Sequence, residues 1–388
     1  MPEDDISWFR GGPFYRVQRS CHLVEGQRWN LTRRVVAVLA VAWLPLVMIT
    51  ALFRRDMLVE LLKDYVVYSR IVIAIPALLI GHVLMDECFS LTTPQVKQAE
   101  LLNEDDLSNL SRMIALQMRI RDSVLPELIL VAFVFAEGIL VWQTRAATAP
   151  AWAALRHGPA LRFSAAGWYY GLVSLPIYQF LLGFSLWKWG LWSFFLFRLS
   201  RMHLNLVATH PDGHGGLGFL SLSPSAFAAT AAAVSAAIGG AWRHEILEGG
   251  RRLASFEIPA LVLVVLLFLV ALAPLCFFTP RLMLLRKKAK LDYGVLAQVH
   301  DSDFHKRWVL DRRGPGKARI AEREVTRMVG LGISYNRVQR MSPFPIDKST
   351  LIGFTLAALL PLVPVVLAEI PLSVILKGLL ETVKAVPM

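Results

Sequence analysis

The sequence predicts an all-α protein, a polytopic transmembrane helical bundle of about seven spans with a small helical cytoplasmic cap. Three observations carry this. Apolar residues make up 55% of the 388 and charged residues 18%, with a mean hydropathy of +0.50; soluble domains run at about 45–50% and about 25%. The apolar residues fall in blocks of about 20, the length that roughly 30 Å of hydrocarbon demands of a helix. The basic residues, which give a net charge of +12, collect between alternate blocks, as the positive-inside rule requires.

Spans are expected at about 35–53, 66–86, 124–144, 166–187, 219–242, 256–279 and 350–368. The first block begins late, after six arginines, and is too long for a secretory h-region, so it reads as a retained signal anchor. Six basic residues precede span one, four lie between spans two and three, three between four and five, and sixteen between six and seven. The opposite loops hold about three each. This asymmetry puts the N-terminus and loop 280–349 in the cytoplasm of a bacterial inner membrane and the C-terminus outside. The charge is thereby explained by topology and anionic lipid headgroups, and nucleic acid is not expected as a partner.

The domains follow. Residues 1–34 form a cytoplasmic N-terminal segment. Residues 35–279 hold six spans and a loop, 89–123, whose stretch "EDDLSNLSRMIALQMRIR" reads as a helix with acids at its start and arginines at its end. Residues 280–349 form the basic loop, with helices near 289–310 and 320–340 broken by "RRGPGKAR". Residues 350–388 carry the last span, interrupted by Pro361 and Pro364, and a short amphipathic helix starting at Pro371. The block 187–206 is read as an extension of span four, or as an interfacial helix with Trp187, Trp189 and Trp192 at headgroup depth. An eighth span there would reverse everything after it. Span five, "SAFAATAAAVSAAIGG", is nearly all small residues; the stripe Ala232, Ala236, Gly240 predicts close packing at the bundle centre. The other reading is a pore-lining face using Thr230 and Ser235.

Ionisable residues inside spans are costly and mark functional candidates. Arg70 and Glu137 sit at matching depths in antiparallel spans two and three, so they are expected to face inward and pair, directly or through water. At the other end His82, Asp86 and Glu87 come level with Glu127 and Arg121, a set that could serve a proton or cation path. The third candidate is the run "HPDGHGG". His210 and His214 have helical metal-ligand spacing, but Pro211, Gly213, Gly215 and Gly216 argue against a helix there. An anion cradle and a gating hinge are alternatives. The plainest reading is a turn built on Asp212 with glycines at positive φ. The cysteines, Cys21, Cys88 and Cys276, are far apart. GxSxG and HExxH are absent, and only His82 of nine histidines falls in a span. No catalytic residue, metal or cofactor is therefore assigned.

The run "LVATHPDGHGGLGFL" resembles the signature of a family of uncharacterised bacterial multi-pass membrane proteins, whose usual form is LVPTHPDRAGGLGFL. The resemblance extends to 291–309, 334–351 and 357–380. It implies that His210, Pro211, Asp212, Gly215, Gly216, Leu217 and Gly218 are family features, whereas Gly213 and His214 depart from the pattern. The expected function is a channel or transporter-like protein for a small ion or solute, with a homo-oligomer around a shared pore axis compatible with it. The alternative is a non-transporting sensor or scaffold that binds a cytoplasmic protein partner through loop 280–349. Reporter fusions near residues 295 and 345 are predicted to read as cytoplasmic; a periplasmic signal from either would overturn this topology.

Overall fold

A computed structural model of the protein describes residues 7–25, 29–99, 101–145, 150–157, 160–310 and 322–370. The chain is helical nearly throughout. In order come α1 (Gly12–Ser20), α2 (Leu31–Phe53), α3 (Tyr65–Gln98), α4 (Glu104–Asp122), α5 (Leu125–Arg145), a two-stranded antiparallel hairpin (Ala154–His157 and Ala160–Phe163), α6 (Ala165–Ser200), α7 (Gly218–Leu247), α8 (Leu253–Cys276), α9 (Thr279–Phe304), α10 (Glu322–Arg340) and α11 (Lys348–Val366). Among the described residues six helices, α2, α3, α6, α7, α8 and α11, are long and apolar enough to cross a membrane. They coincide with six of the seven expected spans. The remaining one, expected at 124–144, lies within α5, whose side chains are described only as far as residue 138.

Connections alternate between two ends. At one end, here called proximal, the N-terminal segment meets the start of α5, the backbone of Asn205 donates to Leu101, and that of Ser342 donates to Gly213. At the distal end the indole of Trp152 donates to Asp64 at 2.9 Å, and the carboxylate of Glu369 accepts from the amide of Leu253. The hairpin at this end is not signalled by the sequence. The amphipathic helix expected after Pro371 and the break at 312–319 lie outside the described residues.

Helices α3 and α6 run 34 and 36 residues, which at about 1.5 Å per residue exceeds a bilayer's apolar thickness. Both extend at the proximal end. The block 187–200 is thus a continuation of α6, and a reversal that would make it a separate span does not occur. Trp189 and Trp192 do not face outward. They are buried in the core, with Trp192 stacked on Phe89 at 4.2 Å. Near its distal end each of the two helices contains one π-helical stretch, Ser69–Ala74 and Tyr170–Ser174, followed within two residues by Pro76 and Pro176. A proline inside a helix removes one amide donor and crowds the carbonyl four residues back; widening the preceding turn relieves that clash.

Helix α7 is central, packing on α3, α8 and α11. Its small residues bring backbones together. A Cβ on Gly240 would collide with the Ser69 side chain, and one on Gly239 would lie 3.3 Å from the carbonyl of Pro361. Thr230 and Ser235 are fully buried, so they belong to this packing and do not border an open lumen. The outward faces of α2 and α8 are the reverse. Val41, Leu44, Met48, Ile258, Leu261 and Leu269 are each more than half exposed, an apolar belt that would be a liability in water. Replacing Gly240 by Val forces α7 from α3 and is predicted to cost about 1–3 kcal/mol. Thermal unfolding in detergent should show a clear fall in Tm, with Gly353→Ala, where no neighbour lies within 4 Å, causing none.

Candidate functional site

Two polar constellations occupy the proximal end. The first is built around Asp86 on the buried face of α3. Its Oδ1 accepts from the Ser7 hydroxyl at 2.7 Å, the Trp8 amide at 2.8 Å and the Phe9 amide at 3.0 Å, and Arg10 approaches Oδ2 at 3.8 Å. Residues 7–14 therefore form a strap seated between the helices. Glu127, in the first turn of α5, accepts from the Phe14 amide at 2.6 Å, a carboxylate placed at the start of α1 where the helix dipole favours it. Lys188 on α6 donates to the Trp8 carbonyl at 3.2 Å and lies over the Phe184 and Phe9 rings at 4.9 and 5.5 Å. Arg121 donates to the Ser7 carbonyl and holds Asp122 by two bonds of 2.8 Å. The strap's side chains complete the core. Trp8 and Phe9 are almost fully buried, and Trp8 meets Phe89, Trp192 and Phe195 edge-on.

The sequence places His82, Asp86, Glu127 and Arg121 at one level, and the structure collects them there. Their shared neighbour is the strap, not an open path. His82 is buried, bonds Ser185 at 2.8 Å and faces the Phe9 and Phe184 rings; Glu87 is exposed. Arg70 and Glu137 do not meet. Arg70 donates to the Tyr170 hydroxyl at 3.2 Å, and Glu137 accepts from Gln179. The reason is the helix order: α5 packs on α6, and α6 stands between it and α3, so matching depth brings no contact. Lys188, Trp8 and Phe9 are the residues that span-counting missed. The available signal was "SWFRGGPFYR", which carries four aromatic residues in ten, too apolar for a solvated tail.

The second constellation is the loop 210–218. Asp212 turns its carboxylate inward and accepts from the amides of His214 at 2.8 Å, Gly216 at 3.0 Å and Gly218 at 2.8 Å. His210 Nδ1 lies 2.8 Å from the same carboxylate. Gly213, Gly215 and Gly216 have φ of 70°, 70° and 96°, which other residues adopt only with strain. A Cβ on Gly216 would also press on Leu101, and one on Gly218 on Asp212 itself. His214 is buried, its Nδ1 2.7 Å from the Asp212 carbonyl, so the two imidazoles serve one turn separately. Among the described residues no three His, Cys, Asp or Glu side chains gather to hold a metal ion. No family model matches the chain, and neither does any curated protein or solved structure.

Burial opposes ionisation of Asp212, but the three amides and His210 outweigh it and hold the carboxyl below the usual carboxylate value. The unfolded carboxyl therefore takes up a proton first on acidification. The loop's contribution to stability is complete above about pH 4 and lost as pH falls through the folded value. The stability difference between wild type and Asp212→Asn is predicted to shrink as the pH falls below about 4. Unfolding followed in detergent as the pH is lowered checks it; a gap of constant size throughout would refute the assignment.

Proposed function

We propose that the chain is a seven-span protein of the bacterial inner membrane, N-terminus in the cytoplasm. On this reading it is a non-transporting sensor or scaffold whose cytoplasmic head, formed among the described residues by 201–217, 279–310 and 322–347, binds a partner. The observation that carries the reading is the use made of the polar groups. Asp86, Glu127 and Lys188 are spent on the chain's own N-terminal strap, Thr230 and Ser235 are packed away, and Trp8, Phe89, Trp192 and Phe195 fill the space between α3 and α6. A conduit needs polar groups facing water. The HPDGHGGLGFL run supports placing the chain with the bacterial membrane family whose signature it resembles.

A second reading, a gated channel or transporter-like protein for a small ion or solute, is favoured by one observation. The strap is held at the proximal end by ionisable side chains, Asp86, Glu127 and Lys188, so loss of those bonds would free it. Reconstitution in liposomes separates the two, using wild type and the strap-loosened Trp8→Ala/Phe9→Ala double variant. Neither is predicted to carry Na+, K+, Cl− or H+ above the lipid background. Flux through the double variant alone would establish the gated reading, and flux through the wild type would contradict the first outright.

A further inference from the structure

A cavity of about 300 Å3 opens between loop 210–218 and α10, lined by His210 and Gly213 on one wall and by Asn336, Arg337 and Arg340 on the other. Its size is that of the smaller ligand clefts. Positions 333, 336, 337 and 340 fall on one face of α10, so the exposed Arg337 and Arg340 both line the same space. Asp212 engages Nδ1 of His210, so the ring offers an Nε2–H donor to an anion in its imidazolium form. The Asp212 carboxylate is turned onto three loop amides and His210, which offset part of its charge, and the two arginines outnumber it. Among the described residues neither arginine has an acidic partner, and Arg337 makes only a long bond of 3.5 Å to the Thr209 carbonyl.

The two walls are fixed against each other. Ser342, just past α10, donates its amide to the Gly213 carbonyl at 2.8 Å, and Leu282 and Met341 crowd Gly215 so closely that a Cβ there would lie 3.2 and 3.4 Å from them. A cleft held open in this way does not spend binding energy on assembling itself.

We propose that this cleft binds a phosphoryl group, carried either by a soluble phosphate compound or by an anionic phospholipid headgroup. Two arginines and an asparagine line one wall and a histidine the other. That arrangement suits a tetrahedral oxyanion, whose oxygens point in several directions, better than a flat carboxylate. The site does not depend on whether the bundle conducts, so flux measurements and binding measurements fail separately.

The test uses the full-length protein in nanodiscs. In one arm the lipid is phosphatidylcholine alone, and inorganic phosphate and pyrophosphate are titrated by calorimetry. In the other, phosphatidylglycerol is added and bound lipid is counted by native mass spectrometry. Saturable binding is expected in at least one arm, and the arm that responds names the source. Arg337→Gln and Arg340→Gln should each weaken it roughly tenfold or more, the effect of losing a charge-assisted bond. Arg112→Gln, which removes equal charge from the exposed face of α4, should leave it unchanged. An unaltered Tm without ligand confirms that the variants are folded. No saturable binding in either arm, or equal loss in all three variants, overturns the proposal.

Discussion

A carboxylate withdrawn from water among helices must find donors, because an unpaired buried charge costs several kcal/mol. Asp86 finds them on the N-terminal strap, and much of the proximal end follows from that choice. Two backbone amides and a hydroxyl fix residues 7–9 against α3. This sets Trp8 into the aromatic cluster of α3 and α6 and carries the chain to Glu127, where α1 begins. Lys188 then has a carbonyl and two ring faces to satisfy it; a cation over a ring is worth about 0.5–1 kcal/mol when exposed and about 2 kcal/mol when desolvated. Opposite charges on α3, α5 and α6 are linked through one short peptide, with no direct contact among them required.

The middle and distal parts of the bundle rest on a different constraint, close approach. Helices immersed in lipid gain nothing from hiding apolar surface from one another, so association depends on packing. Small residues on α7 supply it, against Ser69 on α3 and Pro361 on α11. Near the distal end the π-helical turns of α3 and α6 are joined by the bond from Arg70 to Tyr170. Arg70 is thus a tie between two widened turns.

Much of this was legible in the sequence. Hydropathy blocks located six of the long helices, the acid-to-base gradient of residues 104–121 identified α4, and the small-residue run identified the central helix. Asp212 and the glycines of the HPD loop announced their turn, since few other structures need positive φ at that density. What did not show was any property of helix neighbours. Depth along a span can be counted, but azimuth and order cannot, so Arg70 and Glu137 matched in height and sat on either side of α6. The strap was hidden for a related reason: a segment outside the apolar blocks reads as a flank, although Trp8 and Phe9 are core residues, all but fully buried. Likewise the tryptophans of α6 resembled an interfacial belt because that pattern ignores what lies beside them.

The strap is part of the folded bundle, and amide hydrogen exchange on the full-length protein in nanodiscs reads that directly. The amides of Trp8, Phe9 and Phe14 should exchange slowly in the wild type and rapidly in Asp86→Ala, with the peptides of α7 unchanged. Free-peptide exchange rates for these three amides in the wild type would contradict it.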